Sequence, residues 1–205
     1  MIWIIKGGPV MIPIIFGSIL GLAIIICKLW QLYGIRMDAG KLTEGVISRV
    51  RLKRYDEAIR YCSDNVRYPL AVTLKAGLEK RALASHEIEK VLERAGNTQV
   101  KELEKYIGGL ISIIGIEPLL GFLGTITGLI KAFMTWEKAG SNITVSQLAA
   151  GIYEAMITTA AGLIVAVPFY LICNFIISRI KYISYELSDS SMQLVEAIAE
   201  AKHGA

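Results

Sequence analysis

Three long apolar runs, almost free of charge, restrict this chain to a membrane fold. Residues 7–27 contain no Lys, Arg, Asp or Glu, residues 106–130 contain only Glu117, and residues 143–178 contain only Glu154. About 20 apolar residues in a helix cross a bilayer, and only helices or closed barrels satisfy their backbone groups there. The runs therefore predict an all-α membrane protein with three transmembrane helices.

Composition shows where the soluble part lies. Hydrophobic residues make up 54% of the 205 residues, and the mean hydropathy is +0.51. Of the 22 basic residues, 15 fall in residues 36–105, together with 11 of the 18 acidic ones. This block is rich in helix formers with apolar residues three and four apart, and a similar spacing follows residue 178. We predict cytoplasmic helices that extend the membrane helices, with an interruption at Gly96-Asn97 and a weak point at Ser190-Ser191.

The predicted organisation has six segments. They are an N-terminal segment with the first transmembrane helix (1–35), a cytoplasmic helical region (36–105), the second transmembrane helix (106–135), a short periplasmic loop (136–147), the third transmembrane helix (148–178) and a cytoplasmic C-terminal helix (179–205).

The first apolar run has a competing interpretation, and the basic residues predict the orientation of the chain. A signal peptide competes with a retained first helix, but the apolar run is too long for one and no small-x-small cleavage site follows. Lys28 is expected to extend its ammonium group to the interface. Basic residues concentrate on the side of residues 36–105 and the tail, which predicts that the N-terminus lies outside and that the large loop and the C-terminus are cytoplasmic.

Cysteine spacing and charge pattern argue against several other functions. The three cysteines lie far apart and show no metal-ligand spacing, so we predict neither a disulfide nor a metal site. Basic and acidic residues are interleaved at a net charge of +4, which disfavours nucleic-acid binding. His86 and His203 both lie in polar helical stretches. No catalytic cluster or phosphate-binding loop is present in the sequence, so an enzyme is not predicted.

Two sets of small and polar residues each share one face of a helix. In the second run they are Glu117, Gly121, Gly124, Thr125 and Gly128, and in the third run they are Gly151, Ala155, Thr158, Gly162 and Ala166. Such faces let membrane helices approach closely. The residues assigned to helix packing are Gly121, Gly124, Gly128, Gly151, Gly162, Pro118 and Pro168. The threonine hydroxyls either bond back to their own helix or face a polar path.

The two membrane carboxylates need a different account. A charge at the bilayer centre costs about 2.5–3.5 kcal/mol on insertion scales, so such groups normally mark an ion or proton path. No basic residue within these two runs can pair with Glu117 or Glu154, which favours water, a bound proton or another subunit. Alternatively, Glu154 lies among the outer headgroups, because the third run is longer than a bilayer core and does not fix its depth.

These residues resemble the MotA/TolQ/ExbB proton-channel family over nearly the whole chain. The likeness is sharpest in "EPLLGFLGTITGLIKAF" (117–133) and "LAAGIYEAMITTAAGLIVAVPFYLICNF" (148–175). With three spans, the chain is more similar to ExbB and TolQ than to the flagellar stator protein. The resemblance implies a subunit of an inner-membrane motor that uses proton-motive force to drive a periplasmic or outer-membrane process, without a cofactor. The resemblance does not decide whether the coupling ion is a proton or sodium. It also does not distinguish an ExbB-like from a TolQ-like role.

The resemblance also implies partners. It implies a homopentamer in the lipid bilayer, whose second and third spans line a pore holding the helices of an ExbD/TolR-like dimer. The partner helix carries the aspartate that takes and releases the proton, and a TonB/TolA-like protein is a further candidate partner. The alternative is a structural membrane scaffold without ion conduction.

Site residues follow from the same motifs. The family's pore threonine falls on Thr125, and its third-span Glu and Thr fall on Glu154 and Thr159. Thr158 is added from its place on the small face. Glu117 departs from the family pattern, which usually has a small residue before this proline.

The depth of Glu117 depends on the pairing of the two helices. If Thr125 and Thr159 lie at one depth on antiparallel helices, Glu117 lies near the level of Pro168. There it either lines the inner exit of the proton path or caps a subunit contact.

Overall fold

A computed structural model describes residues 7–35, 39–140 and 144–203. These residues contain helices and no strand. The helices are α1 (Met11–Tyr33), α2 (Ala39–Arg51), α3 (Tyr55–Asp64), α4 (Pro69–Glu79), α5 (Ser85–Glu104), α6 (Ile107–Ala139) and α7 (Val145–His203). The predicted all-α membrane fold is confirmed.

Three helical stretches of the described chain are long and apolar enough to cross a membrane. They are Met11–Tyr33, Ser85–Ala139 and Ala149–Lys202, and their most apolar windows lie in α1, α6 and α7. Pro118 and Pro168 lie inside α6 and α7 without ending them. A membrane helix tolerates such prolines because neighbouring groups satisfy the freed backbone carbonyl.

Local backbone conformation sets the ends of the membrane helices. Gly8 has a φ of +68°, and its carbonyl accepts the Met11 N–H in the turn before α1. Tyr106 adopts a left-handed φ of 69° just before α6, and Gly140 ends α6 with a φ of +54°. A positive φ favours glycine, so Gly8 and Gly140 suit these turns.

The described residues within 1–28 and 106–175 form one compact unit, which contains most of α1, α6 and the first half of α7. Gly21 of α1 lies against the Phe169 ring, and a Cβ at Gly7 would come 3.3 Å from Ile157. Lys28 is only 3% exposed, so its side chain is packed within the protein. The unit therefore brings α1 against both other membrane helices.

The described residues within 29–105 and 176–205 form a second compact unit. Its buried side chains include Val46, Leu74, Leu92, Leu194 and Ile198. The Thr43 hydroxyl donates a buried 2.9 Å hydrogen bond to Ser190. Apolar faces at helical spacing drive this packing, as the sequence pattern indicates.

Two expected weak points are continuous helix. The predicted interruption at Gly96-Asn97 is wrong, because α5 runs unbroken from Ser85 to Glu104 and buries Gly96 beside Thr73. Helix α7 likewise passes through Ser190 and Ser191, and the Ser191 hydroxyl donates to the Leu187 carbonyl. Tertiary packing outweighs the modest helix propensity of glycine, asparagine and serine.

Candidate functional site

The small-residue faces of α6 and α7 meet backbone to backbone. A Cβ at Gly121 would come 3.0 Å from the Thr159 Cα, and one at Gly128 would come 2.8 Å from the Gly151 carbonyl oxygen. A Cβ at Gly162 would overlap the Glu117 carbonyl. The two helices therefore run antiparallel at a separation that side chains at these glycines would not permit.

This register differs from the one assumed from the threonines. Gly162 opposes Glu117, and Gly121 opposes Thr159. Glu117 therefore lies at the level of Gly162, not of Pro168, which is six residues or about 9 Å further along α7. Thr125 and Thr159 are accordingly offset by about one helical turn. The glycine contacts, rather than the threonines, set the register.

The three candidate threonines meet different surroundings. Thr158 is fully buried, packs on Gly124 and bonds to the carbonyls of Glu154 and Ala155. The Thr159 hydroxyl donates to the Gly121 carbonyl of α6 at 2.9 Å. The Thr125 hydroxyl donates to the Phe122 carbonyl of its own helix at 2.6 Å. Thr125 and Thr159 remain partly exposed, whereas Thr158 does not.

Thr125 and Thr159 lie along the same edge of the α6–α7 contact. At 100° per residue, Thr125 and Lys131 lie on opposite sides of the small-residue face of α6. Thr159 and Glu154 likewise lie on opposite sides of the small-residue face of α7. Lys131 pairs with Glu154, so the two sides can be matched across the helices. We call the pair Thr125 and Thr159 the threonine edge.

Glu154 forms an ion pair with Lys131, near the end of α6. The Glu154 side chain is 16% exposed, and its carboxylate lies against Gly8, where a Cβ would overlap it. The expectation that no basic residue can pair with Glu154 is therefore wrong, because Lys131 directly follows the apolar run and reaches across to α7. Glu154 thus lies beside the turn before α1, on the side opposite the threonine edge.

Glu117 lies inside the three-helix unit. It is 1% exposed, its carboxyl abuts Gly17 of α1, and its backbone abuts Gly162 of α7. Its Oε2 atom finds no hydrogen-bond partner among the described residues. The structure thus separates the five predicted residues into the threonine edge, the buried Glu117 and Thr158, and the paired Glu154.

Lys131, Gly8 and Gly17 were missed by sequence reasoning. Lys131 lies just beyond the second apolar run, and the antiparallel register that pairs Gly128 with Gly151 brings it near Glu154. The two glycines of the N-terminal region carry no local signal for their contacts with carboxylates more than a hundred residues away. Among the described residues, no group of three or more His, Cys, Asp or Glu is placed to hold a metal ion.

These helices define an all-α, multi-span membrane protein with a close-packed helix pair. The chain belongs to the MotA/TolQ/ExbB proton channel family, which it matches over residues 65–189. The predicted family and the ExbB/TolQ likeness are confirmed. At the level of the family, the chain is a proton-channel subunit for energy transduction.

Both ExbB-type and TolQ-type proteins are similar to this chain. A Synechocystis sp. protein described as ExbB-like 1 is 29% identical over 181 residues, which are 85% of this chain and 69% of that protein. The Vibrio cholerae biopolymer transport protein exbB1 is 43% identical over 42% of this chain and 40% of its own length. The Tol-Pal system protein TolQ of Haemophilus influenzae is 31% identical over 47% of this chain and 42% of its own length.

Proposed function

We propose that this chain is the proton-channel subunit of an inner-membrane motor that uses proton-motive force to drive a periplasmic or outer-membrane process. In this scheme several copies, five by family likeness, surround the helices of an ExbD/TolR-like partner dimer. Family membership and the ExbB and TolQ relatives support this assignment. The proposed N-terminus is periplasmic and the C-terminus cytoplasmic, in agreement with the distribution of basic residues.

The observation that carries the proposal is the threonine edge. Helix α1 approaches the opposite side of the α6–α7 pair, where Gly8 meets Glu154 and Gly17 meets Glu117. Thr125 and Thr159 stay partly exposed on membrane helices. Hydroxyl groups gain little from acyl chains but can bind a proton donor or water. We infer that this edge faces the pore axis and the partner's aspartate.

The hydroxyl orientations suggest what the edge can do. Both hydroxyl hydrogens are donated to backbone carbonyls, so the oxygen lone pairs are the groups left to accept a hydrogen bond. In this arrangement the edge accepts from a protonated aspartic acid or a hydrated proton. An ionised aspartate of the partner can only accept hydrogen bonds, so the threonine hydroxyls would have to break their bonds to the backbone carbonyls in order to donate to it. Proton loss would therefore favour another position of the partner helix.

Glu154 has a separate role in this scheme. Its ion pair with Lys131 lies at the end of the helix pair that we place toward the periplasm. There the pair sets the electrostatic potential near the entrance of the path, and a passing proton need not reside on Glu154.

Threonine-to-valine substitutions test the function. Thr159→Val and Thr125→Val keep the side-chain shape and remove the hydroxyl, so we expect proton flux to fall at least about tenfold, the factor that one lost hydrogen bond of about 1.4 kcal/mol produces. Flux is measured in liposomes containing the complex purified with its single-span partner. Thr127→Val is the matched control, because its hydroxyl donates only to Gly124 of its own helix, away from the threonine edge.

Thermal unfolding of each variant checks that assembly is intact. A well-assembled Thr159→Val complex with unchanged flux would exclude the threonine path. The scaffold alternative is tested in cells. A proton-coupled subunit should lose function with Thr159→Val or Glu154→Gln while still assembling, whereas a non-conducting scaffold should tolerate both substitutions.

A further inference from the structure

Glu117 is a buried carboxylic acid that the proposed proton path does not use. Three helices enclose it within one subunit: Glu117 belongs to α6, Gly17 of α1 lies against its carboxyl group, and Gly162 of α7 lies against its backbone. The residue is 1% exposed, and Oε2 has no hydrogen-bond partner among the described residues. A polar atom of this kind is rare in a folded protein and requires an explanation.

On the described helices that surround Glu117, no charge that could balance a carboxylate lies at its level. On the three surrounding helices, the nearest ionisable side chains are at least eight residues, or about 12 Å, along the helix from Glu117 or the residues opposite it. They are Cys27, Lys28, Tyr106, Lys131, Tyr153, Glu154, Tyr170 and Cys173. Lys131, which pairs with Glu154, is fourteen residues or about 21 Å away along α6. An ionised Glu117 would therefore be buried and unpaired.

We propose that Glu117 is a proton-binding site inside each subunit, separate from the threonine edge, and that its bound proton allows α1 to pack against α6 and α7. An isolated buried carboxylate is far costlier than a buried neutral acid, which loses only part of its hydrogen bonding. Gly17 fits this role, because a side chain there would overlap the carboxyl group. The inference goes beyond the proposed function and holds whether or not the assembled protein conducts protons.

The proposal has a pH consequence with a defined sign. Unfolding separates α1 from α6 and α7 and lets water reach the Glu117 carboxyl, which then ionises at mildly acidic pH, so the unfolded chain binds fewer protons than the folded one. Stability then falls as the pH rises. The removal of this proton introduces a charge where α1 meets the helix pair, so α1 is the element whose packing should loosen.

Infrared spectroscopy of the full chain in lipid nanodiscs tests the bound proton directly. Near neutral pH, we expect a carbonyl band of a protonated carboxylic acid that disappears in Glu117→Gln. Glu137→Gln, on the exposed end of the same helix, is the matched control and should retain the band. The absence of the band from the wild type, or its persistence in Glu117→Gln, would overturn the proposal.

A second variant covers poor folding of Glu117→Gln. Glu117→Asp keeps the acid but moves it about one methylene, so the band should remain and shift in frequency. An unchanged band in Glu117→Asp would assign it to another residue.

Thermal unfolding gives an independent readout. From mildly acidic to mildly alkaline pH, the melting temperature of the wild type should fall relative to that of Glu117→Gln, and parallel profiles would contradict the proposal. Neither measurement depends on proton flux, so failure here and failure of the threonine path are distinguishable.

Discussion

The carboxyl groups of Glu117 and Glu154 belong to one helix pair but meet opposite surroundings. Glu154 lies against Lys131 and is partly exposed, whereas Glu117 is 1% exposed and lies against Gly17 and Gly162. A paired carboxylate is stable as an anion, and an enclosed unpaired one is stable only as an acid. One position therefore supplies a fixed charge and the other a bound proton.

A double-mutant cycle measures the ion pair. The Lys131 side chain is 50% exposed, so water weakens the attraction and we expect a favourable coupling of about 0.5–1 kcal/mol. Lys131→Met, Glu154→Gln and the double variant are compared by thermal unfolding. The exposed Lys138→Met, further along α6, should show no coupling to Glu154→Gln. Strict additivity for Lys131 would contradict the pair.

Cys62 offers a residue-scale test in the second unit. Burial raises the pKa of its thiol to about 11, against the opposing effect of the nearby Lys75 and Arg49 cations. Since the thiolate is the reactive form, alkylation near neutral pH should be much slower in the folded protein than in denaturant. Mass spectrometry of the Cys62 peptide follows the reaction. The comparison is Asp64→Cys in a Cys62→Ser background, an exposed thiol that should react quickly in both states.

At the scale of elements, α6 and α7 pack closely because glycines on both helices let the backbones touch. Each glycine of the contact faces backbone or a small residue of the other helix. Without a hydrophobic driving force between helices in lipid, close van der Waals contact of this kind supplies much of the association. The same contact fixes which polar residues remain at the edges.

Substitution of Gly128 should separate the two helices. A Cβ there would come 2.8 Å from the Gly151 carbonyl oxygen and 2.9 Å from the Ala155 nitrogen, and backbone atoms cannot move aside. We expect Gly128→Ala to destabilise by about 1–3 kcal/mol, as overpacking does, with a matching drop in melting temperature.

Gly115 of α6 is the matched control. A Cβ at Gly115 meets nothing within 4 Å. Gly115→Ala should therefore stabilise the helix by about 0.5–1 kcal/mol through lower backbone entropy in the unfolded chain. Equal effects at Gly115 and Gly128 would show that the contact is looser than described.

At the scale of the whole molecule, the chain consists of an apolar unit and a polar helical unit, each assembled from an N-terminal and a C-terminal part of the sequence. The long helix α7 contributes residues to both units. Basic residues concentrate in the polar unit, so we predict that this unit lies in the cytoplasm.

Cysteine labelling in intact cells tests this orientation. In a cysteine-free background, a membrane-impermeant maleimide should label Lys138→Cys, which we place toward the periplasm. It should leave Arg67→Cys unlabelled until the inner membrane is broken. Both positions are exposed, so access to the reagent alone decides the result. The reverse pattern would invert the proposed proton entrance and exit.

Properties that depend on neighbours along the chain could be predicted from the sequence alone. Hydropathy over windows of helical length predicted the three membrane helices, and the small faces followed from a period of 3.6 residues. The motifs around Thr125, Glu154 and Thr159 identified the family. These signals are local, because each is carried by one continuous helix.

Contacts between distant parts of the chain were decided only by the tertiary structure. The pairing of Lys131 with Glu154, the level of Glu117 opposite Gly162, and the enclosure of its carboxyl by Gly17 all depend on helix register. A shift of one turn leaves the periodicity of every helix unchanged but changes each of these partners. The sequence pattern therefore determined which faces are polar, and close packing of glycine backbones determined what each polar group meets.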